Sequence, residues 1–154
     1  ILLRGHMMRK TDHHLAFEKN NNVMVVFTGP HCFVSAAWYT NSSMGSTWNY
    51  MTVQAKGTMR FLDARGTYNA VKELSDNYVG ATGSASFDSL PPEYIEGMMK
   101  GIVGFEIEVE SMENTFKLSQ NRDLESQRNI IEELMKRSDE HSRKIAREMI
   151  KRLD

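Results

Sequence analysis

Tyr50-Met51-Thr52-Val53-Gln54-Ala55-Lys56-Gly57-Thr58-Met59-Arg60-Phe61 decides the fold. Met51, Val53, Ala55, Met59 and Phe61 share one parity, with Gly57 among them. Tyr50, Thr52, Gln54, Lys56, Thr58 and Arg60 share the other. Successive side chains of a strand point to opposite faces, so alternation of this length predicts a long strand with one face in a core. The second face is polar but not purely charged. It suits a ligand-facing or partner-facing wall as well as solvent.

On the N-terminal side, Ile1 to Met8 predicts a strand, and Thr11 or Asp12 caps a short helix through Lys19. Asn20-Asn21-Asn22 reads as a turn, because Asn tolerates the left-handed region. Val23 to Thr28 is a buried strand that Gly29-Pro30 breaks, and His31 to Ala37 is another. Thr40 to Ser46 is a polar loop.

On the C-terminal side, Asp63 caps a helix whose apolar positions are Ala70, Val71, Leu74 and Tyr78, and Gly80 ends it. Residues 81–90 form a polar loop. Pro91 and Pro92 suit the first turn of a helix carrying Tyr94, Ile95, Met98 and Met99, closed by Gly101 and Gly104. Phe105, Ile107 and Val109 alternate with Glu106, Glu108 and Glu110. The glutamates read as a solvated face rather than a metal site, since no histidine shares their parity. Asn114 turns the chain into Thr115 to Ser119.

Asp123 to Leu153 is helical. Its apolar residues fall in two groups, Ile130/Ile131/Leu134/Met135 and Ile145/Met149/Ile150/Leu153, with a bend between Lys136 and Lys144. Two short amphipathic helices fit a DNA-reading helix-turn-helix. They also fit the commoner arrangement, a helical pair docked on the domain or on a partner subunit. Long alternating strands with few crossover helices predict an α+β chain, a barrel-like, mostly antiparallel sheet with helical additions.

Composition narrows the function classes. A chain of 154 residues fits one domain, and 40% hydrophobic with 25% charged residues excludes disorder. No apolar run approaches the ~18 residues of a membrane span. The opening residues carry no signal-peptide pattern. With 19 Lys+Arg against 20 Asp+Glu, a constitutive electrostatic grip on nucleic acid is disfavoured, though a local basic patch is not. The single cysteine, Cys32, cannot form an internal disulfide, which suits a reducing, cytoplasmic setting; beside Phe33 and Val34 it reads as a buried, inert thiol. The high count of eleven methionines reads as adaptable core packing.

The sequence contains no Walker-type loop, dinucleotide fingerprint, paired-cysteine zinc spacing, His-Glu-x-x-His or nucleophile elbow. His13 and His14 are adjacent, hence about 100° apart on a helix, and read as helix-surface histidines rather than metal ligands. No residue is marked as a catalytic acid, base or nucleophile. Three groups remain. Arg4, His6, Arg9 and Lys10 either bind a phosphate or form a solvated basic strand end. Trp38, Tyr39, Trp48 and Tyr50 bracket a polar loop and either fill a dimer interface or wall a flat ligand. Lys117-Leu118-Ser119-Gln120-Asn121-Arg122 is a dense run of donors and acceptors.

Leu3-Arg4-Gly5-His6-Met7, Gly29-Pro30-His31, Trp38-Tyr39, Thr47-Trp48-Asn49-Tyr50, Ile102-Val103-Gly104-Phe105-Glu106 and Lys117-Leu118-Ser119-Gln120-Asn121 follow in this order. Together they resemble the PaiB-type family of FMN-binding split-barrel proteins, often labelled negative transcriptional regulators. The resemblance extends into the tail through Ser138-Asp139-Glu140 and Ala146-Arg147-Glu148-Met149. It implies a split β-barrel over 1–122, a C-terminal helical extension over 123–154 packed on the same domain, and FMN at the interface of a homodimer. It makes Arg4, His6, Arg9 and Lys10 phosphate-side candidates and Thr52 a flavin-contacting position. Trp48, Tyr50, Lys117, Ser119 and Asn121 complete the implied cofactor-binding set.

The chain departs from related patterns in four places. Lys117 to Asn121 stands where pyridoxamine-phosphate oxidases, of the same superfamily, have Arg-Leu-His-Asp-Arg, which counts against vitamin B6 chemistry. Gln54 stands where relatives commonly have histidine, and Ala36-Ala37 where they have a nearby proline. The family normally places a helix and strands before the Leu-Arg-Gly-His-Met strand, so the chain is expected to lack barrel-completing strands. Three functions fit: a flavin-linked sensor or regulator that binds DNA, a flavin-dependent oxidoreductase acting on a small molecule, and a non-catalytic binding protein.

Overall fold

A computed structural model describes residues 1–41 and 43–153. Among them the order is β1 (Leu2–Met8), α1 (Asp12–Lys19), β2 (Asn22–Val34), β3 (Thr47–Phe61), α2 (Ala64–Val79), α3 (Pro92–Gly101), β4 (Ile102–Lys117), α4 (Leu124–Lys136) and α5 (Glu140–Ile150). The strands form one sheet in the order β1-β4-β3-β2. β1 runs antiparallel to β4, with Leu2 opposite Glu108, Arg4 opposite Glu106 and Met8 opposite Ile102. The class is α+β with an antiparallel sheet, as the patterning predicts. The expected 40–46 loop is irregular, and Ser42 within it lies outside the described residues.

Contacts divide the chain into two compact units. Ile1–Val25 with Ala55–Ser111 form the first; Val26–Gln54 with the residues from Met112 onward form the second. β2, β3 and β4 contribute residues to both.

In the first unit Thr11 is the cap used of the two the sequence offers, and Asp63 caps as predicted. Thr11 accepts a hydrogen bond from the His14 amide to start α1, and Asp63 accepts one from the Gly66 amide to start α2. Gly80 ends α2 at φ 94°, a conformation that costs glycine nothing. Val71, Phe87 and Ile102 form the core cluster, with Tyr68, Leu90, Ile95, Met98 and Met99 packed against it. Phe87, 1% exposed, belongs to the segment expected to be a polar loop. Leu74 and Tyr78, apolar positions of the predicted helix, are exposed, and Thr67 joins Ala70 and Val71 on the buried face of α2.

Gly104 does not close a helix; it lies within β4. A Cβ there would lie 2.9 Å from the Thr67 Cα, and the Gly104 amide donates to Thr67 Oγ1 at 2.9 Å. The missing side chain is what lets α2 seat on β4. The Asn20–Asn22 turn uses no left-handed residue. Asn20 is extended and its Oδ1 accepts from the Asn22 amide at 3.0 Å, so the side chain makes the turn.

In the second unit, α4 and α5 bring Ile130, Ile131, Leu134, Ile145, Ala146 and Met149 against Cys32, Val34, Tyr39 and Leu118. Ile130, Leu134 and Ile145 have no exposed surface, and each such side chain contributes about 1.5–3 kcal/mol of transfer free energy. The break between the helices is short, because Asp139 caps α5 by accepting from the Ser142 amide. Two predicted breaks are absent. β2 runs through Gly29-Pro30, and β4 runs through Asn114. β2 is an edge strand of this sheet, where a proline without an N–H is tolerated. At Gly29 a Cβ would lie 2.8 Å from the Met51 carbonyl oxygen, so glycine here serves close strand approach rather than a turn.

Methionine usage is mixed. Met59 and Met149 are buried, as expected, whereas Met8, Met24, Met44, Met112 and Met135 are exposed. Cys32 is 4% exposed, and burial pushes its thiol up to about 11. At pH 8 the native thiol is expected to react with a disulfide reagent at least about a hundredfold more slowly than in the urea-unfolded chain. Equal rates, followed by thiol absorbance, would contradict this packing of β2.

Candidate functional site

The predicted residues fall in both units. In the first, β1 exposes Leu2, Arg4, His6 and Met8 and turns Leu3, Gly5 and Met7 inward. The strand ends when the Arg9 amide donates to the Gly101 carbonyl at 2.8 Å and Lys10 takes φ 62°. That turn leaves the His6, Arg9 and Lys10 side chains exposed. None of the three makes a side-chain hydrogen bond or ion pair among the described residues.

Arg4 differs. Its Nε and Nη2 both donate to Glu106 Oε1, at 2.9 and 2.7 Å, and its Nη1 donates to Glu73 Oε2 at 2.6 Å. Hydrogen bonds to Glu106 and then Glu73 raise its pKa above the ordinary arginine value. The second oxygen of Glu106 accepts from Arg60. Glu106 is therefore not part of a solvated glutamate face as expected. It is 5% exposed, because two guanidinium groups satisfy it across the sheet face. Glu108 stays exposed, and Glu110 accepts from the Thr58 hydroxyl at 2.6 Å.

His14 is also a correction. It is buried rather than on the helix surface, with its ring 4.9 Å from that of Phe61. His13 remains exposed.

In the second unit, Trp48 is 53% exposed and meets Phe33 edge-on with centroids 6.2 Å apart. Tyr50 is half-buried. Thr52 lines a recess of about 240 Å³ with Phe27, Gly29, Pro30, Val53 and Phe116 among its walls. Lys117 Nζ donates to the Thr47 hydroxyl. Ser119 adopts φ 59° and is 2% exposed; its hydroxyl donates to Asn49 Oδ1 at 3.0 Å. Asn121 is exposed. Tyr39 is buried with the Arg122 guanidinium 4.3 Å from its ring centroid.

The roles of two residues were not legible in the sequence. Asn49 is fully buried and ties Ser119 to α5 through its Nδ2, 3.6 Å from Met149 Sδ. An asparagine amid the strand residues Trp48 and Tyr50 was its available signal, since Asn is a poor strand former. Glu106 gave no local signal, because its partner Arg4 lies 102 residues away.

The donor chemistry fits a flavin phosphate. His6, Arg9 and Lys10 offer unengaged N–H donors to a dianion, while Arg4 is committed to carboxylates.

Residues 1–111 match the family described as "Putative FMN-binding domain". The chain belongs to this FMN-binding domain family. Membership supports FMN as the cofactor of this FMN-binding domain. Its relatives include "Protease synthase and sporulation protein PAI 2" of Bacillus subtilis (strain 168), 33% identical over 122 residues, covering 79% of this chain and 58% of the relative. An uncharacterized protein of Emericella nidulans is 27% identical, covering 77% of this chain and 60% of the relative. The chain thus spans about three fifths of the length of these curated relatives. Among solved structures, "the FAD and Heme binding protein from Mycobacterium smegmatis" superposes with TM-score 0.55 at 13% identity, covering 75% of this chain and 53% of that one. That likeness places the fold among split-barrel sheets. Among the described residues no helix is long and apolar enough to cross a membrane.

Proposed function

We propose that this FMN-binding domain is a cytoplasmic, homodimeric, flavin-linked sensor that regulates transcription, holding the FMN phosphate with His6, Arg9 and Lys10. The observation that carries the reading is the end of β1, where three exposed cationic or imidazole side chains have no carboxylate partner among the described residues. FMN would supply redox chemistry, and the chain's own residues would bind and orient it. The homodimer is supported by exposed apolar side chains on the edge strand β2 and beside it, Val26, Phe33 and Trp48, which a second subunit would cover. The regulatory role is supported by the PaiB-type motifs and concerns DNA as the partner.

Arg9→Ala combined with Lys10→Ala is expected to weaken FMN binding at least about tenfold while leaving riboflavin binding within about twofold, because only FMN carries the phosphate that charge-assisted bonds would hold. Flavin fluorescence titration checks this, and equal losses for both ligands would remove the phosphate role. For the regulator, FMN-loaded protein should prefer DNA from its own promoter region over random DNA at a stated salt concentration. No preference, together with FMN-dependent NAD(P)H oxidation, would favour an oxidoreductase.

A further inference from the structure

The second unit holds a recess of about 350 Å³ lined by Pro30, Met51, Lys144, Arg147, Glu148 and Lys151. Its volume lies in the range of small-molecule sites. Helical spacing puts Lys144, Arg147 and Lys151 on one face of α5 and the turn after it, opposite the pyrrolidine of Pro30 and the thioether of Met51. The cations are not equivalent. Lys144 is paired with Glu140 at 3.1 Å, and Lys151 with Glu148 at 2.5 Å; Glu148 also accepts from Arg152 at 2.7 Å. Arg147 is exposed and its side chain makes no hydrogen bond or ion pair among the described residues.

A guanidinium without a hydrogen-bonded carboxylate, its charge acting on Glu140 only through space, has a defined complement over an apolar floor. The planar fork of arginine matches a carboxylate with two parallel hydrogen bonds. Among the described residues Arg147 is the one lining cation without a hydrogen-bonded carboxylate, and a single carboxylate group fills its fork. Met51 provides an adaptable apolar contact for a ring or acyl body.

We propose that this recess binds a small carboxylate carrying a flat apolar body, anchored by Arg147. The site is independent of the phosphate donors on β1 and does not rest on the flavin reading. Calorimetric titration with 2-naphthoate and the neutral 2-naphthol, on flavin-free and FMN-saturated protein, tests it. The expected result is one naphthoate per chain, at least about tenfold tighter than naphthol. That preference should be lost in Arg147→Met and only partly kept in Arg147→Lys, which retains the charge without the fork. FMN should not displace the naphthoate. Arg147 is exposed, so both variants should keep the parent's melting temperature; if Arg147→Met does not, Arg147→Lys and the naphthol comparison on the parent decide. Equal affinity for the two probes, no binding, an unchanged preference in the variants, or one-for-one displacement by FMN would overturn the proposal.

Discussion

Gly57→Val is expected to destabilise the protein by about 4 kcal/mol or more, the range of exceptional single substitutions, and to leave most of the expressed chain insoluble. A Cβ at this position would overlap the Glu108 carbonyl oxygen and lie 2.9 Å from the Glu108 carbonyl carbon and 3.1 Å from the Val109 Cα. Those are backbone atoms of the neighbouring strand, and β4 has little freedom to retreat. Ile107 is 3% exposed, Glu106 is held by Arg4 and Arg60, and the Val109 amide donates to the Ile1 carbonyl at 2.9 Å. Valine is a good strand former, so the loss would come from the clash and not from propensity. Gly45→Ala is the control. Nothing lies within 4 Å of its would-be Cβ, and its effect should stay within about 0.5 kcal/mol. Far-UV circular dichroism in a urea series measures both. A Gly57→Val protein as stable as its parent would contradict the close approach of β3 and β4.

Leu134→Ala is expected to cost about 2–5 kcal/mol, the range for removing a fully buried leucine side chain. Leu134 has no exposed surface and packs in one cluster with Ile130, Ile145 and Ala146. Truncation would remove apolar contacts and leave a cavity that two capped helices cannot easily fill. The neighbouring Met135 is 42% exposed, so Met135→Ala should cost less than about 1 kcal/mol. Tryptophan fluorescence in a urea titration reads this unit directly, because Trp38 packs against the cluster and Trp48 belongs to the same unit. Equal effects of the two truncations would mean that α4 is not docked through Leu134.

Much of this architecture was legible because its signals are local. The period-two run of β3, the caps at Thr11 and Asp63 and the amphipathic pattern of the tail each act within a few residues. The misses share a different cause. Gly29-Pro30 and Asn114 carry turn chemistry, yet sheet pairing keeps both segments extended; β2 tolerates the proline at the sheet edge, and Met51 needs the space at Gly29. Glu106 and His14 look like surface residues by their neighbours in sequence. They are buried because Arg4, Arg60 and Phe61 arrive from elsewhere in the chain. The cationic end of β1 was readable from spacing alone. Which of its members a carboxylate already holds was not, since the Glu73 and Glu106 partners of Arg4 lie 69 and 102 residues away.

The central claim is that this FMN-binding domain grips its cofactor by the phosphate. The most direct measurement is a parallel titration of the purified protein with FMN and riboflavin, followed by quenching of flavin fluorescence. FMN should bind at least about tenfold tighter than riboflavin, with the difference shrinking as salt rises. Equal affinity for the two flavins, or no binding of either, would contradict it.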